Sequence, residues 1–247
     1  MIRAVIFDLD NTLIDRDAAF RLFCQEYLDD AFPNLDELER TQALGHMEVR
    51  DRSRLTREDL PVVLREQNSV LPNEAESDTE MPEWLSQICS EEWDAEKRRR
   101  LPQLIEPDPA VEQLIRRLRD RFRLAIVTNG SGTVQRAKLD VMGYAHLFES
   151  IVVSGELGIS KPDPLIFEAA LSQLNCSPND ALFVGDDPVR DVIGAKRVGL
   201  QVAWVDGGRE WLDVLDGNGN SFPERPDYTI RHVSQLEASV ACLMPTS

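Results

Sequence analysis

Thiol and imidazole groups are scarce here, with 4 Cys and 3 His in 247 residues. Cys24, Cys89, Cys176 and Cys242 are scattered and form no Cys-x-x-Cys pair. Neither a zinc cage nor a disulfide framework is indicated, and reduced thiols of a cytoplasmic protein are expected. Positive charge is short as well: 27 Lys and Arg stand against 44 Asp and Glu, a formal net charge of −17. That balance opposes broad attraction to nucleic acid or to an anionic membrane surface, so an anionic ligand must be captured by a local device. No stretch approaches the roughly 20 apolar residues that span a bilayer. The opening Met1 to Asp10 meets a carboxylate too early for a signal peptide. Internal repeats and low-complexity tracts are absent, and the oligomeric state is left open.

With 42% hydrophobic and 29% charged residues, the chain has a globular composition and the length for one large domain or a core with an insert. Short branched apolar runs, Ala4 to Phe7, Leu124 to Val127, Ile151 to Val153, Ala181 to Val184 and Val202 to Val205, stop abruptly, most of them at Asp, Thr or Gly. Helical patterns run over Pro109 to Arg119, Thr133 to Met142, Pro164 to Leu174 and Val189 to Val198. This is the grammar of a parallel α/β sheet with crossover helices.

The first two runs are separated by over a hundred residues, too many for one crossover. Within that gap Phe20, Phe23, Cys24 and Tyr27 make one helical stripe, and Thr56 with Asp59 reads as a helix N-cap followed by Leu60, Val63 and Leu64. Leu71 to Pro82 reads as a loop, and Trp84, Leu85, Ile88 and Trp93 as a further helix. Residues 16–100 are therefore expected to form an all-helical insert, with 1–15 and 101–247 as the α/β core.

In an open parallel sheet the ligand crevice lies beyond the carboxyl ends of the strands. There the sequence places Asp8-Leu9-Asp10-Asn11-Thr12, Thr128-Asn129-Gly130, and Gly185-Asp186-Asp187 with Asp191 just beyond, while Lys161-Pro162 opens the helix after the third run. Sequence-distant acid clusters at one sheet edge repel unless a cation sits among them, and carboxylates without His or Cys neighbours suit Mg²⁺. A lysine and a Thr-Asn-Gly turn at a helix entrance add donors for an anion. The constellation reads as metal plus phosphate.

These residues, in this order, resemble the haloacid dehalogenase superfamily of aspartate-nucleophile phosphotransferases, in its phosphatase branch with a helical cap inserted after the first motif. The resemblance covers nearly the whole chain. It implies a doubly wound, Rossmann-like core in which Asp8 attacks phosphorus, and Asp10 protonates the leaving oxygen and then activates water. It further implies Mg²⁺ held by Asp8, the Asp10 carbonyl and Asp186, with Asp191 orienting water around it. Thr128 and Lys161, with Asn129 and Gly130, hold the phosphoryl oxygens of a small phosphorylated metabolite such as a nucleotide or sugar phosphate. Asn11 stands where the family commonly has Gly, and Asn tolerates the left-handed turn. Asp187 and Arg190 also depart from the pattern, and Arg190 is expected to neutralise Asp187.

Other features carry plainer readings. Arg50, Arg54 and Arg57, with Arg52 among them, form a solvated or ion-paired face, the alternative being contact with a substrate anion. Lys97 to Arg100 reads as a solvated helix end and Gly217 to Asn220 as a surface turn. A phosphomutase would share all four motifs. A non-catalytic binding or regulatory protein on the same fold would be expected to have lost Asp8, Asp10 or Lys161, and all three are present.

Overall fold

A computed structural model describes residues 2–53, 91–211 and 221–239. The expectations for Arg54, Thr56 to Leu64, Leu71 to Ile88 and Gly217 to Asn220, and for the side chains of Arg50 and Arg52, fall outside the described residues.

Six parallel strands form one sheet among the described residues: β1 Ala4–Phe7, β2 Arg123–Thr128, β3 Ser150–Val153, β4 Ala181–Gly185, β5 Gln201–Val205 and β6 Tyr228–Ile230. Their spatial order is β3-β2-β1-β4-β5-β6. The chain therefore builds outward from β1 to one edge, returns to β4 and builds to the other. Every residue of β1 and β4 is buried, as strands covered on both faces require, which is why they read as continuous apolar runs. The first five strands fall on the five apolar runs. The sixth, at the sheet edge, has only Tyr228, Thr229 and Ile230, of which only Ile230 is buried, too short and too polar to stand out.

The crossover helices are set by their caps. Helix α4, Pro109–Arg119, starts at Asp108, whose carboxylate accepts from the Ala110 N–H at 2.7 Å, and has Pro at its first position. It buries Val111, Leu114, Ile115 and Leu118, the one-face spacing of a helix. Helix α5, Gly132–Met142, is capped by Ser131 and ends at Gly143, φ +77°. Helix α6, Pro164–Gln173, begins after the N-cap Asp163, so Lys161 lies in the connecting turn and does not open the helix. The Lys161–Pro162 bond is cis. Phe167 of α6 meets Phe183 of β4 edge to face, ring centres 5.2 Å apart, in a core that includes Ile6, Val127 and Trp204. The expected helix after β4 begins instead as a π-helical turn, Pro188–Ile193, and only then becomes α7, Gly194–Val198.

The chain divides into two compact units. One takes in Met1–Asp17, Ile105–Leu212 and Pro223–Ser247 and carries the sheet; the other takes in Ala18–Leu104 and Asp213–Phe222. The described helices of the second unit are α1, Arg16–Ala31, most of which it contains, α2, Glu37–Ser53, and α3, Glu91–Arg100. Phe20, Phe23 and Tyr27 are buried on one stripe of α1, and Trp93 of α3 packs against Phe20 and Phe23 with ring centres 6.3 and 6.0 Å away. The basic end of α3 is a solvated helix end only at Arg98 and Arg99, which are exposed. Lys97 Nζ pairs with Asp51 at 2.7 Å and sits 4.5 Å from the Trp93 ring centre, while Arg100 bridges Glu26 and Asp30 at 2.6 and 2.9 Å. Acidic residues of α1 and α2 meet these charges, a pairing across helices that local sequence does not display. No described helix is long and apolar enough to cross a membrane.

Candidate active site

Strand order reverses at β1, and that is where an open α/β sheet leaves its crevice. Asp8 follows β1, Thr128 ends β2, and Asp186 follows β4, so three chain-distant segments deliver polar groups to the carboxyl ends of neighbouring strands. The loop after β1 turns sharply. Asn11 adopts φ +59°, the left-handed conformation its short amide side chain tolerates, and its Oδ1 accepts from the Asp17 N–H at 3.0 Å.

Lys161 binds the acidic cluster together. Its Nζ lies 2.5 Å from Asp8 Oδ1 and 2.7 Å from Asp191 Oδ1, and all three side chains are buried. Two hydrogen bonds place Lys161: its N–H donates to Asn129 Oδ1, and the Asn129 amide donates to its carbonyl, both at 2.9 Å. The Asn129 side chain is thus engaged with the Lys161 backbone, and the Gly130 N–H donates to Ser154 Oγ at 2.9 Å.

Asp8, Asp186 and Asp191 each offer a carboxylate oxygen, and these lie within 4.8 Å of one another. Burial pushes Asp8 up to about 7; Lys161 opposes the shift while Asp191 and Asp10 add to it. Burial also raises Asp186, with repulsion from Asp191 and Asp8 adding and Arg209 opposing, and raises Asp191 against the pull of Lys161. Burial works against the Lys161 charge, yet Asp191 and Asp8 outweigh it and hold the ammonium above the ordinary lysine range. One ammonium among three carboxylates leaves the pocket short of positive charge. An all-oxygen donor set of this kind fits a hard divalent cation such as Mg²⁺.

Asp187 has a different task. Its Oδ1 accepts from the N–H groups of Val189 and Arg190, each at 2.8 Å, and caps the π-helical turn. Among the described residues no ion pair joins Arg190 to Asp187, so the expected neutralisation is replaced by capping. The turn carries Asp191 inward, where its Oδ2 accepts from the Asp187 N–H at 3.0 Å.

Gln135, Lys138 and Arg209 were not anticipated from the sequence. Lys138 Nζ donates to both oxygens of Asp10 at 2.7 Å. Gln135 Nε2 donates to Thr128 Oγ1 at 2.6 Å and to Asp10 Oδ2 at 3.3 Å. Burial disfavours the Asp10 charge, but Lys138, Arg16 and Gln135 together hold its carboxyl below the usual range. Arg209 Nη2 donates to the Asp186 carbonyl at 2.9 Å and to its Oδ2 at 3.2 Å, and Trp204 Nε1 donates to the same carbonyl at 2.9 Å. The first two carried a legible signal: Gln135, Lys138, Leu139 and Met142 form one helical stripe, and polar residues on the buried face of a crossover helix are anomalous unless they serve a site.

Sheet order and acidic crevice define a doubly wound α/β protein with a site at its topological switch point. More particularly, the chain belongs to the haloacid dehalogenase-like hydrolase family, whose family model matches residues 5–205. It is 42% identical over 112 residues to the phosphoserine phosphatase of Thermus thermophilus, a match covering 45% of this chain and 44% of that protein. It is 27% identical over 262 residues to the N-acylneuraminate-9-phosphatase of Rattus norvegicus, covering 100% of this chain and 98% of that one. Several curated relatives are matched over only about half their length. Among solved structures, the HAD-hydrolase YfnB from Bacillus subtilis, described as bound to magnesium, superposes with a TM-score of 0.68 at 23% identity, covering 96% of this chain and 97% of that one.

Proposed function

We propose that this protein is a Mg²⁺-dependent phosphatase that hydrolyses a small phosphorylated metabolite through an aspartyl-phosphate on Asp8. The observation that carries this reading is the buried Lys161 bridging Asp8 and Asp191, at the strand ends that also bear Thr128 and Asp186. An Asp8 oxygen attacks phosphorus as the ester P–O bond breaks, and Asp10, which takes up a proton from solvent as the anionic substrate enters beside it, passes that proton to the leaving oxygen. Asp10 then removes a proton from water, which attacks the aspartyl-phosphate and returns Asp8 with inorganic phosphate. Lys161 and Thr128 hold the phosphoryl oxygens, while Asn129 and Gly130, expected from the sequence to share that task, spend their described hydrogen bonds on Lys161 and Ser154 and fix the turn. Positioning and charge carry most of the catalysis, because the phosphoryl transition state is loose and its charge dispersed.

The ion would be held by Asp8, Asp186, Asp191 and the Asp10 carbonyl. When bound it neutralises charge between an anionic nucleophile and an anionic substrate. Relatives named as a phosphoserine phosphatase, an N-acylneuraminate-9-phosphatase and a pyrimidine 5'-nucleotidase support a sugar phosphate, nucleotide or similar monoester. The helical unit acts as a cap that selects the leaving group, and the setting is the cytoplasm. The test is a panel of phosphorylated metabolites assayed for inorganic phosphate with and without Mg²⁺. Metal-dependent release on at least one member, absent in Asp8→Asn, is expected. Isomerisation of a substrate without phosphate release would turn the assignment to a phosphomutase, and no turnover of any substrate by folded protein would overturn it.

A further inference from the structure

We propose that Lys138 and Gln135 of α5 are positioning residues that fix the carboxylate of Asp10 for proton transfer and aim the hydroxyl of Thr128 at the phosphoryl group. This rests on the reading of Asp10 as the acid and base.

Helices α4 and α5 invite direct comparison, because both bury residues at the same spacing. In α4 the face is Val111, Leu114, Ile115 and Leu118; in α5 it is Gln135, Lys138, Leu139 and Met142. Two apolar positions of a packing face have become an amide and an ammonium, with Gln135 only 1% and Lys138 only 4% exposed. A buried ion costs several kcal/mol in desolvation, roughly balanced only when it is paired and well oriented. A leucine in the place of Lys138 would pack without that cost.

Both donors face the reaction site. Lys138 meets the two oxygens of Asp10 at equal distances of 2.7 Å, which opposes rotation of the carboxylate about its last torsion. The Gln135 amide nitrogen, at 2.6 Å from Thr128 Oγ1 and 3.3 Å from Asp10 Oδ2, spends one proton on each. Thr128 Oγ1 therefore accepts from Gln135 and keeps its own proton to donate outward. One side-chain amide ties the acid and base to a ligand of the phosphoryl group. Gln135 is itself confined, since a Cβ on Gly130 would lie 3.0 Å from its Cδ, and Gly130 has φ +144°.

Neither side chain is expected to touch substrate, so the readout must separate positioning from general stability. A well-stabilised leaving group such as p-nitrophenolate departs with little protonation, whereas an alkoxide requires an acid. Lys138→Met, Lys138→Arg and Gln135→Leu are assayed on p-nitrophenyl phosphate and on the best alkyl phosphomonoester of the wild-type enzyme, with Asp10→Ala as reference. Lys138→Met is expected to lose about 100-fold in the single-turnover rate of leaving-group release from the alkyl ester and under about 10-fold from the aryl ester; this reads the first step alone, because hydrolysis of the aspartyl-phosphate uses Asp10 as base for both esters. Lys138→Arg should recover most of the loss, and Gln135→Leu should show the same bias at smaller amplitude.

Equal losses on both esters for Lys138→Met, while Asp10→Ala still shows the bias, overturn the positioning role. Absence of the bias in Asp10→Ala overturns instead the reading of Asp10, a distinguishable failure. Should Lys138→Met not fold, as judged by circular dichroism and thermal melting, Gln135→Leu decides by the same comparison.

Discussion

Gly185 lies so close to Asp191 that a Cβ at position 185 would come within 2.4 Å of Asp191 Oδ2 and 2.7 Å of its Cβ. The carboxylate cannot simply swing aside, because Asp191 is 1% exposed and held by Lys161 and the Asp187 N–H. Gly185→Ala is therefore expected to displace Asp191, weakening Mg²⁺ binding and lowering kcat/KM by at least about 10-fold, a loss of about 1.4 kcal/mol. Calorimetric titration with Mg²⁺ and a phosphate-release assay check this. Wild-type values for both would show that the close approach is dispensable.

Asp186 and Asp187 are neighbours whose removal should fail in opposite ways. Asp186→Ala removes an oxygen from the carboxylate cluster and is expected to raise the Mg²⁺ requirement sharply. Asp187→Ala removes the cap of the π-helical turn and should cost about 1 kcal/mol of stability while changing Mg²⁺ affinity much less. Paired denaturant unfolding and Mg²⁺ titrations separate the two, and reversed effects would exchange the assignments.

The Asp8 carboxyl moves from an ordinary value of 3.8 to about 7 on folding, with burial the largest cause. A carboxyl raised in the folded state keeps its proton through a window in which the unfolded chain has lost it. Stability consequently falls as pH rises between those two values. In metal-free protein, Asp8→Asn carries no such penalty. Its melting temperature relative to wild type should increase across that window and level off above it. A difference that does not change with pH would show that Asp8 bears no raised carboxyl.

The same shifts couple metal binding to protons. Because burial holds Asp8 at about 7 without an ion, Mg²⁺ must displace its proton to bind near or below neutral pH. Apparent affinity should rise with pH through about 7, the value for Asp8. Titrations in buffers of different ionisation enthalpy should reveal proton release. Binding with no proton release at pH 6 would contradict the picture.

Much of the sheet was legible because buried parallel strands are written as uninterrupted branched residues, and Ala4 to Phe7 coincides with β1 at both ends. The candidate site was legible for a related reason: Asp8 and Asp186 directly follow β1 and β4 and Thr128 ends β2, so all three could be located without knowing how strands are ordered. What escaped depended on contacts across the fold. Lys138 stands out only as a polar residue on an otherwise apolar helical stripe, and nothing local says that its partner is Asp10. The capping by Asp187 depends on a π-helical turn that periodicity reads as ordinary helix, and Arg209 lies beyond β5 in a loop with no motif to mark it.

The pairings at the crevice also join distant parts of the chain: Asp8 and Lys161 are 153 positions apart, and Asp10 and Lys138 are 128 apart. Contacts of such span form only after long loops have closed, and closure is unfavourable until those contacts reward it. Catalytic competence is therefore a late product of folding. A chain emerging from the ribosome has no working centre until β4 and Asp191 have joined the sheet, and after dilution from denaturant, phosphatase activity should return with the slowest phase of sheet assembly.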